Sequence, residues 1–213
     1  MKTILHKHRT FWSQGSFCWS VVLSLVLLAA SLFANYFANV YVAIRASNPV
    51  TDLILDNLPV VNISWIFFQG AVLFFIFVVW LLILDPNKIP FVIKSIAVFI
   101  LIRSVFITLT HLAVPPQHSL LSWNNMFDEI TSGNDLFFSS HTGMPFLMAL
   151  IFWNNKRLRI FFIALAFMFG VSVLLGHLHY SIDVFAAFFI TYGIWHITMW
   201  LFPKDHKLFL EKI

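Results

Sequence analysis

Long apolar stretches separated by short polar ones run through the chain and predict membrane-spanning helices. A span needs about 20 predominantly apolar residues. Such windows cover residues 17–43, 61–84, 90–113, 141–155, 158–177 and 182–202. Between them lie polar segments with proline, such as "DPNKIP" at 85–90 and "AVPPQHS" at 113–119, and proline stops helices. We therefore predict an all-α, polytopic protein of six spans, with a membrane domain over 17–202, an N-terminal segment over 1–16 and a tail over 203–213.

The composition agrees with a membrane protein. Of the 213 residues 60% are hydrophobic and only 10% are charged, whereas soluble domains carry about 25% charged residues. No stretch is rich enough in Lys and Arg to indicate nucleic-acid binding. The basic start, "MKTILHKHR", could open a signal peptide, but the apolar run after it is longer than a typical signal core. We therefore expect an uncleaved anchor, and membrane lipids rather than nucleic acid as partners.

The basic residues predict which side of the membrane each loop faces. Six spans place the N-terminal segment, the two short links and the tail on one side, and these hold eleven of the thirteen Lys and Arg. They are Lys2, Lys7, Arg9, Lys88, Lys94, Lys156, Arg157, Arg159, Lys204, Lys207 and Lys212. Because Lys and Arg favour the cytoplasmic side, we expect both termini there and loops 44–60, 114–140 and 177–181 outside.

Two polar motifs stand where spans four and six begin. "NDLFFSSHTGMP" at 134–145 contains His141, and "GHLHYSID" at 176–183 contains His179 and Asp183. Thirty-eight residues separate the two histidines, about the length of two spans and a turn. The two motifs should therefore meet at the outer face. Span four looks short, so this site is expected to be recessed, which suits a lipid that approaches sideways.

These residue types have both a plain and a chemical interpretation. Asp183 could simply favour a helix N-terminus, and Ser139 could simply cap the helix that carries His141. Alternatively, Asp183 four residues after His179 could accept a hydrogen bond from the imidazole, which leaves the other nitrogen as nucleophile or base. A helix start with Ser139 and Ser140 could bind anionic oxygens. Together these are the parts of phosphoryl transfer through a phosphohistidine.

The same residues resemble a known family. "DLFFSSHT" resembles the S-G-H-T segment of sphingomyelin synthases, which belong to the wider type-2 phosphatidic acid phosphatase superfamily, and "HYSIDVFAAFFIT" resembles their H-Y-x-x-D segment closely. "IRSVFITLTHLAVPP" at 102–116 resembles their Arg-containing segment. "DNLPVVN" at 56–62 is a weak counterpart of their P-L-P-D stretch. The resemblance spans about 56–192. It departs at Ser140, where the family has Gly, and at Tyr192-Gly193, where the family has an Arg shortly after I-T.

The resemblance implies a role for each matching residue. His179 would attack phosphorus, Asp183 would orient it, and His141 would protonate the leaving alkoxide and later activate the acceptor hydroxyl. Substrate-binding candidates are Ser139, Ser140, Thr142, Arg103, Asp135 and Tyr180. We expect no cofactor and no metal.

The supply of cations favours a transferase over a phosphatase. The lipid phosphatases of the superfamily carry a Lys-and-Arg motif and a further Arg before the second histidine, and neither occurs here. Arg103, within the third predicted span, is the one cation that we expect to be buried. A phosphomonoester carries about −1.5 to −2 charges, so a site with few cations fits a singly charged phosphodiester better.

Several alternatives remain open from the sequence. The protein could be a lipid phosphate phosphatase or a phospholipase C-type hydrolase, or a lipid-binding pseudoenzyme, because of Ser140 and Gly193. His177, His179 and Asp183 could form a metal site, although positions two apart diverge on a helix. A transporter is disfavoured because two inverted halves are not apparent.

Overall fold

Every regular element of the described chain is helical. The computed structural model describes residues 2–45, 48–117 and 136–211, and no strand occurs among them. The α-helices of these ranges are α1 (Lys2–Trp12), α2 (Gly15–Arg45), α3 (Ala71–Leu84), α4 (Ile89–Leu109), α5 (Ser140–Ile151), α6 (Lys156–Leu175), α7 (Ser181–Leu201) and α8 (Pro203–Leu210). A π-helix over Ile66–Gly70 leads into α3, and short 3₁₀ turns cover Leu55–Asn57 and Pro86–Lys88. The all-α prediction is confirmed for this part of the chain.

Five of these helical stretches are long and apolar enough to cross a membrane, so the protein is an integral membrane protein. They are Gly15–Arg45, Ile66–Leu84, Pro86–Leu109, Lys156–Leu175 and Ser181–Leu201. The predicted span 141–155 corresponds to α5, which has 12 residues and a length of about 18 Å. Nine of its residues are buried, so α5 is enclosed by other helices. Six crossings and the side that each loop faces remain predictions.

Several helix ends differ from the prediction, each for a local reason. α4 ends at Leu109 and not at 113, because Thr110 is extended and the following segment runs into Pro115 and Pro116. α5 ends at Ile151 and not at 155. Asn155 instead starts the next helix, and its side chain accepts hydrogen bonds from the backbone N–H groups of Arg157 and Leu158.

Two helices outside the spans were not predicted. α1 precedes the first span and α8 follows the last. Phe11 of α1 packs with Phe17 and Val21 of α2, and Leu208 of α8 lies against the same cluster. The two terminal helices therefore contact the same apolar cluster at one end of the bundle.

Polar contacts tie that end of the bundle together. The Asp85 carboxylate lies 2.7 Å from Lys7 Nζ and 2.6 Å from Lys88 Nζ. Lys94 was expected beside the link between spans two and three, but it lies inside α4 and is only 2% exposed. Its ammonium donates to Asp205 at 2.6 Å and to Ser20 Oγ at 2.8 Å. The basic segments near residues 7, 88 and 156 line one cavity, so they share one end of the molecule, as the charge pattern predicts.

Candidate active site

The two histidine motifs meet at the opposite end of the bundle. The backbone N–H of Ser139, just before α5, donates to the carbonyl oxygen of Asp183 at 3.1 Å. The ring of His179 reaches back to the carbonyl of Leu136, 43 residues earlier in the chain. The start of α5 and the start of α7 are thus joined directly, as the spacing of the motifs requires.

A backbone carbonyl sets the tautomer of His179. Its Nδ1 lies 2.8 Å from the carbonyl oxygen of Leu136. A carbonyl only accepts, so Nδ1 must carry the proton. In the neutral imidazole Nε2 then has the free lone pair, as a nucleophile requires. The sequence suggested that Asp183 would accept this hydrogen bond, but its nearer oxygen is 3.6 Å from Nδ1.

Asp183 supports the site from within the protein. Its side chain is fully buried, and Oδ2 accepts the backbone N–H of Tyr180 at 3.0 Å, which caps the start of α7. Oδ1 has no hydrogen-bond partner among the described residues. The carboxylate therefore fixes the first turn of α7, which follows His179 directly, and places negative charge beside the imidazole.

The start of α5 offers a polar surface for an anion. Ser139 is fully buried and its Oγ accepts from Thr142 N at 3.4 Å, so it is the N-cap. Thr142 is also fully buried, with its hydroxyl 3.3 Å from Ser139 Oγ. Ser140 and His141 are half-buried and occupy the first two helical positions. They are therefore the residues of this turn that can meet a ligand, at the end of a helix where anions are favoured.

His141 is held by an aromatic ring. Its imidazole stacks on Phe67, with ring centroids 3.9 Å apart and planes inclined by 28°, and it meets the edge of Phe169 at 5.9 Å. Phe67 belongs to the π-helix over Ile66–Gly70, and π-helical turns are frequent at functional sites. This contact could not be predicted from the sequence, because Phe67 belongs to neither histidine motif.

The other predicted substrate-binding residues have different surroundings. Arg103 is 5% exposed, and its Nε donates to the carbonyl of Phe138 at 2.9 Å, directly before the α5 N-cap. Tyr180 is 1% exposed, and its hydroxyl donates to the Ala113 carbonyl at 2.9 Å. It therefore joins the start of α7 to the extended segment that follows α4. Asp135 lies outside the described residues. Contact of any of these residues with a substrate remains a prediction.

Asp52 is a site-supporting residue that the sequence did not reveal. Its Oδ2 accepts the backbone N–H of Ser181, the first residue of α7, at 2.6 Å, and its Oδ1 accepts the N–H groups of Ile54 and Leu55. Burial alone would raise the pKa of this carboxyl, but these hydrogen bonds outweigh it and lower the pKa below its ordinary value. Only the local turn leaves a signature in the sequence, since an Asp commonly bonds to N–H groups two and three residues later.

The metal-site alternative has no geometric support. His177 Nε2 lies 3.2 Å from the Leu58 carbonyl, whereas His179 turns to Leu136. His177 has a positive φ of 51°, which turns the chain sharply between the two side chains. Among the described residues no group of three or more His, Cys, Asp or Glu could hold a metal ion.

The departure at Gly193 lies far from the site. Gly193 follows Asp183 by ten residues on α7, which is about 15 Å along the helix axis. A Cβ added there would meet nothing within 4 Å. A side chain at this position would therefore start nearly three helical turns beyond Asp183.

Comparison with known proteins gives a family match for part of the chain. Residues 132–200 match the family model described as PAP2 superfamily C-terminal. No curated protein and no solved structure matches the chain. The matched region contains His141, His179 and Asp183. The match supports the type-2 phosphatidic acid phosphatase superfamily, whose members are phosphoesterases and phosphotransferases.

Proposed function

We propose that the protein is a sphingomyelin synthase-like phosphotransferase. It moves the phosphate-bearing headgroup of a phosphodiester lipid to a lipid hydroxyl through a phosphohistidine, at the extracytoplasmic face. The observation that carries the proposal is the hydrogen bond from His179 Nδ1 to the Leu136 carbonyl, 2.8 Å long. It commits the proton to Nδ1 and leaves Nε2 for attack.

The reaction has two balanced steps. In the first, His179 Nε2 forms a bond to phosphorus and the bond to the diacylglycerol oxygen breaks, while protonated His141 gives its proton to that oxygen. In the second, neutral His141 takes the proton of the acceptor hydroxyl, whose oxygen attacks phosphorus and releases His179. The buried Asp183 carboxylate, 3.6 Å from Nδ1, stabilises the positive charge that the ring carries between the steps.

The charge around the site supports a diester donor. No Lys or Arg occurs in segments 48–62, 110–117, 136–142 or 175–183, which surround the two histidines. Arg103 approaches from α4 and also holds the Phe138 carbonyl. One nearby guanidinium balances the single charge of a diester better than the nearly double charge of a monoester.

A single-turnover experiment tests the mechanism. The purified protein is mixed with a phosphodiester lipid labelled in its headgroup phosphate and quenched at high pH, because phosphohistidine is acid-labile. We expect label on the wild-type protein and none on His179→Ala. His141→Ala should trap label slowly, because proton transfer contributes about 10²–10⁴-fold. His196→Ala, an exposed histidine farther along α7, is the matched control and should behave as wild type.

The same assay distinguishes the neighbouring activities. Phosphate release from phosphatidic acid that is faster than diacylglycerol release from the diester would make the protein a lipid phosphatase. Water as the acceptor would make it a phospholipase C-type hydrolase. Full turnover by His179→Ala would refute the proposed nucleophile, and the absence of turnover with every lipid would indicate a lipid-binding protein without catalysis.

A further inference from the structure

An open cavity lies at the end of the bundle opposite His179. Its volume is about 670 Å³, and it lies among α1, the α3–α4 link, the α5–α6 link and the C-terminal end of α8. Four cations line it, from Lys7, Lys88, Lys156 and Arg157, together with the carboxylates of Asp85 and Glu211. None of these residues belongs to the candidate active site.

The residues that line this cavity carry more positive than negative charge. Asp85 takes ion pairs from both Lys7 and Lys88, and these ammonium groups lower its pKa against the effect of burial. Lys156 and Arg157 are exposed and have no ion pair with another described residue. They also stand in the first turn of α6, which holds no acidic residue. The positive end of the helix dipole adds to their charge.

The cavity is apolar as well as basic. The buried rings of Phe152 and Phe209 line it, and Lys88 Nζ lies 5.5 and 5.8 Å from their centroids. Two candidate spans, Pro86–Leu109 and Lys156–Leu175, begin at its wall. The cavity is therefore at the level where apolar helices begin, which is the level of lipid headgroups. Cations beside an apolar surface, at the level of the headgroups, fit an anionic lipid better than a soluble anion.

We infer that this cavity is a second lipid site, which binds the phosphate of an anionic phospholipid through Lys156 and Arg157. The acyl chains would lie against the apolar surface beside Phe152 and Phe209. The site is separate from the catalytic histidines, so the inference does not depend on the proposed function.

Native mass spectrometry of the intact 213-residue chain tests this inference. The probe is phosphatidylglycerol, compared with phosphatidylcholine and with inorganic phosphate. We expect the wild type to retain phosphatidylglycerol. The double variant Lys156→Gln, Arg157→Gln should retain about one tenth as much, or even less, since each lost cation weakens attraction to anionic lipid. Millimolar inorganic phosphate should not displace the lipid.

The matched control also removes two positive charges at this end of the bundle, but at positions that do not line the cavity. Lys204 and Lys207 are exposed on α8 and do not line it, so the double variant Lys204→Gln, Lys207→Gln should retain phosphatidylglycerol as the wild type does. Equal loss in both double variants would mean diffuse attraction to a basic surface and would overturn the inference. Displacement by inorganic phosphate, or equal retention of phosphatidylcholine, would overturn it as well.

Discussion

At the residue scale, the position of His179 changes what Asp183 is expected to contribute. In a serine protease triad, Asp→Asn costs about 10⁴ because the wrong tautomer results. Here the Leu136 carbonyl sets the tautomer, so Asp183→Asn removes charge alone. The amide oxygen can still accept the Tyr180 N–H that caps α7. We expect a folded protein with activity lowered by about 10- to 100-fold, or about 1.4–2.7 kcal/mol of transition-state stabilisation.

The measurement is kcat with a labelled diester donor, together with far-UV circular dichroism of the variant. A 10⁴-fold loss with intact helicity would show that the carboxylate, and not the Leu136 carbonyl, determines the tautomer.

The same residues show what the sequence can and cannot reveal about the site. His141 and Asp183 could be found because they fall within predicted apolar spans, where ionisable groups are rare, and His179 because it lies four positions before Asp183. Leu136 could not, because it contributes a backbone carbonyl, which every residue has. Phe67 could not, because one ring among 26 Phe residues carries no signal of its partner.

At the element scale, Gly143 sets how closely α5 packs. A Cβ added to Gly143 would lie 2.7 Å from the Phe99 ring and 3.0 Å from Thr191 Oγ1. Phe99 is fully buried, so it has little room to move. Gly→Ala normally favours a helix by about 1 kcal/mol, but overpacking a core costs about 1–3 kcal/mol. We expect Gly143→Ala to destabilise the protein.

Gly193→Ala is the matched control, because its Cβ would meet nothing within 4 Å. Thermal unfolding in detergent should give a lower midpoint for Gly143→Ala and an unchanged or higher midpoint for Gly193→Ala. Equal midpoints for the two variants would contradict the close packing of α5.

Asp52 predicts how the loop over the site responds to acid. Its folded pKa is lowered, so its contribution to stability is complete above the ordinary value of 3.8. The contribution is lost as pH falls through the lower folded pKa. A hydrogen bond to a charged group contributes about 1.5–3 kcal/mol. Asp52→Asn should therefore lower the unfolding midpoint near neutral pH.

The wild-type midpoint should fall below about pH 4, and this fall should be shallower in Asp52→Asn. Part of the fall should remain, because the pKa of Asp85 is lowered too. A variant with the wild-type midpoint at every pH would show that Asp52 does not hold α7.

At the scale of the whole molecule, the described chain has a basic end and an end that carries the histidines. Positive charge favours the cytoplasmic side, so we expect the loop around the exposed Leu53 outside and the exposed Asn154 inside. With Cys18 changed to Ser, Leu53→Cys should react with an impermeant thiol reagent in intact cells. Asn154→Cys should react only after lysis, and the reverse pattern would invert the topology.

The approximate bounds of five long helices could be predicted from apolar length alone, because a membrane span requires that length. The two terminal helices could not be predicted in this way. They are short and amphipathic, and contacts far apart in the chain fix them, such as Ser20 Oγ with Asp205 at 2.5 Å. The enclosure of α5 by other helices could not be predicted either, since an apolar helix of 12 residues has the same sequence pattern whether helices or lipid surround it.

The bond between Asp52 and Ser181 has a consequence for biosynthesis. The two residues are 129 positions apart, and the ribosome makes Asp52 first. The loop that carries Asp52 therefore leaves the ribosome long before Ser181 is made. The same holds for the Val61 N–H, whose partner is the Leu175 carbonyl. The site can close only after the first turn of α7 has been made. A nascent chain released before that point would lack the Ser181 N–H that the Asp52 carboxylate accepts in the complete fold.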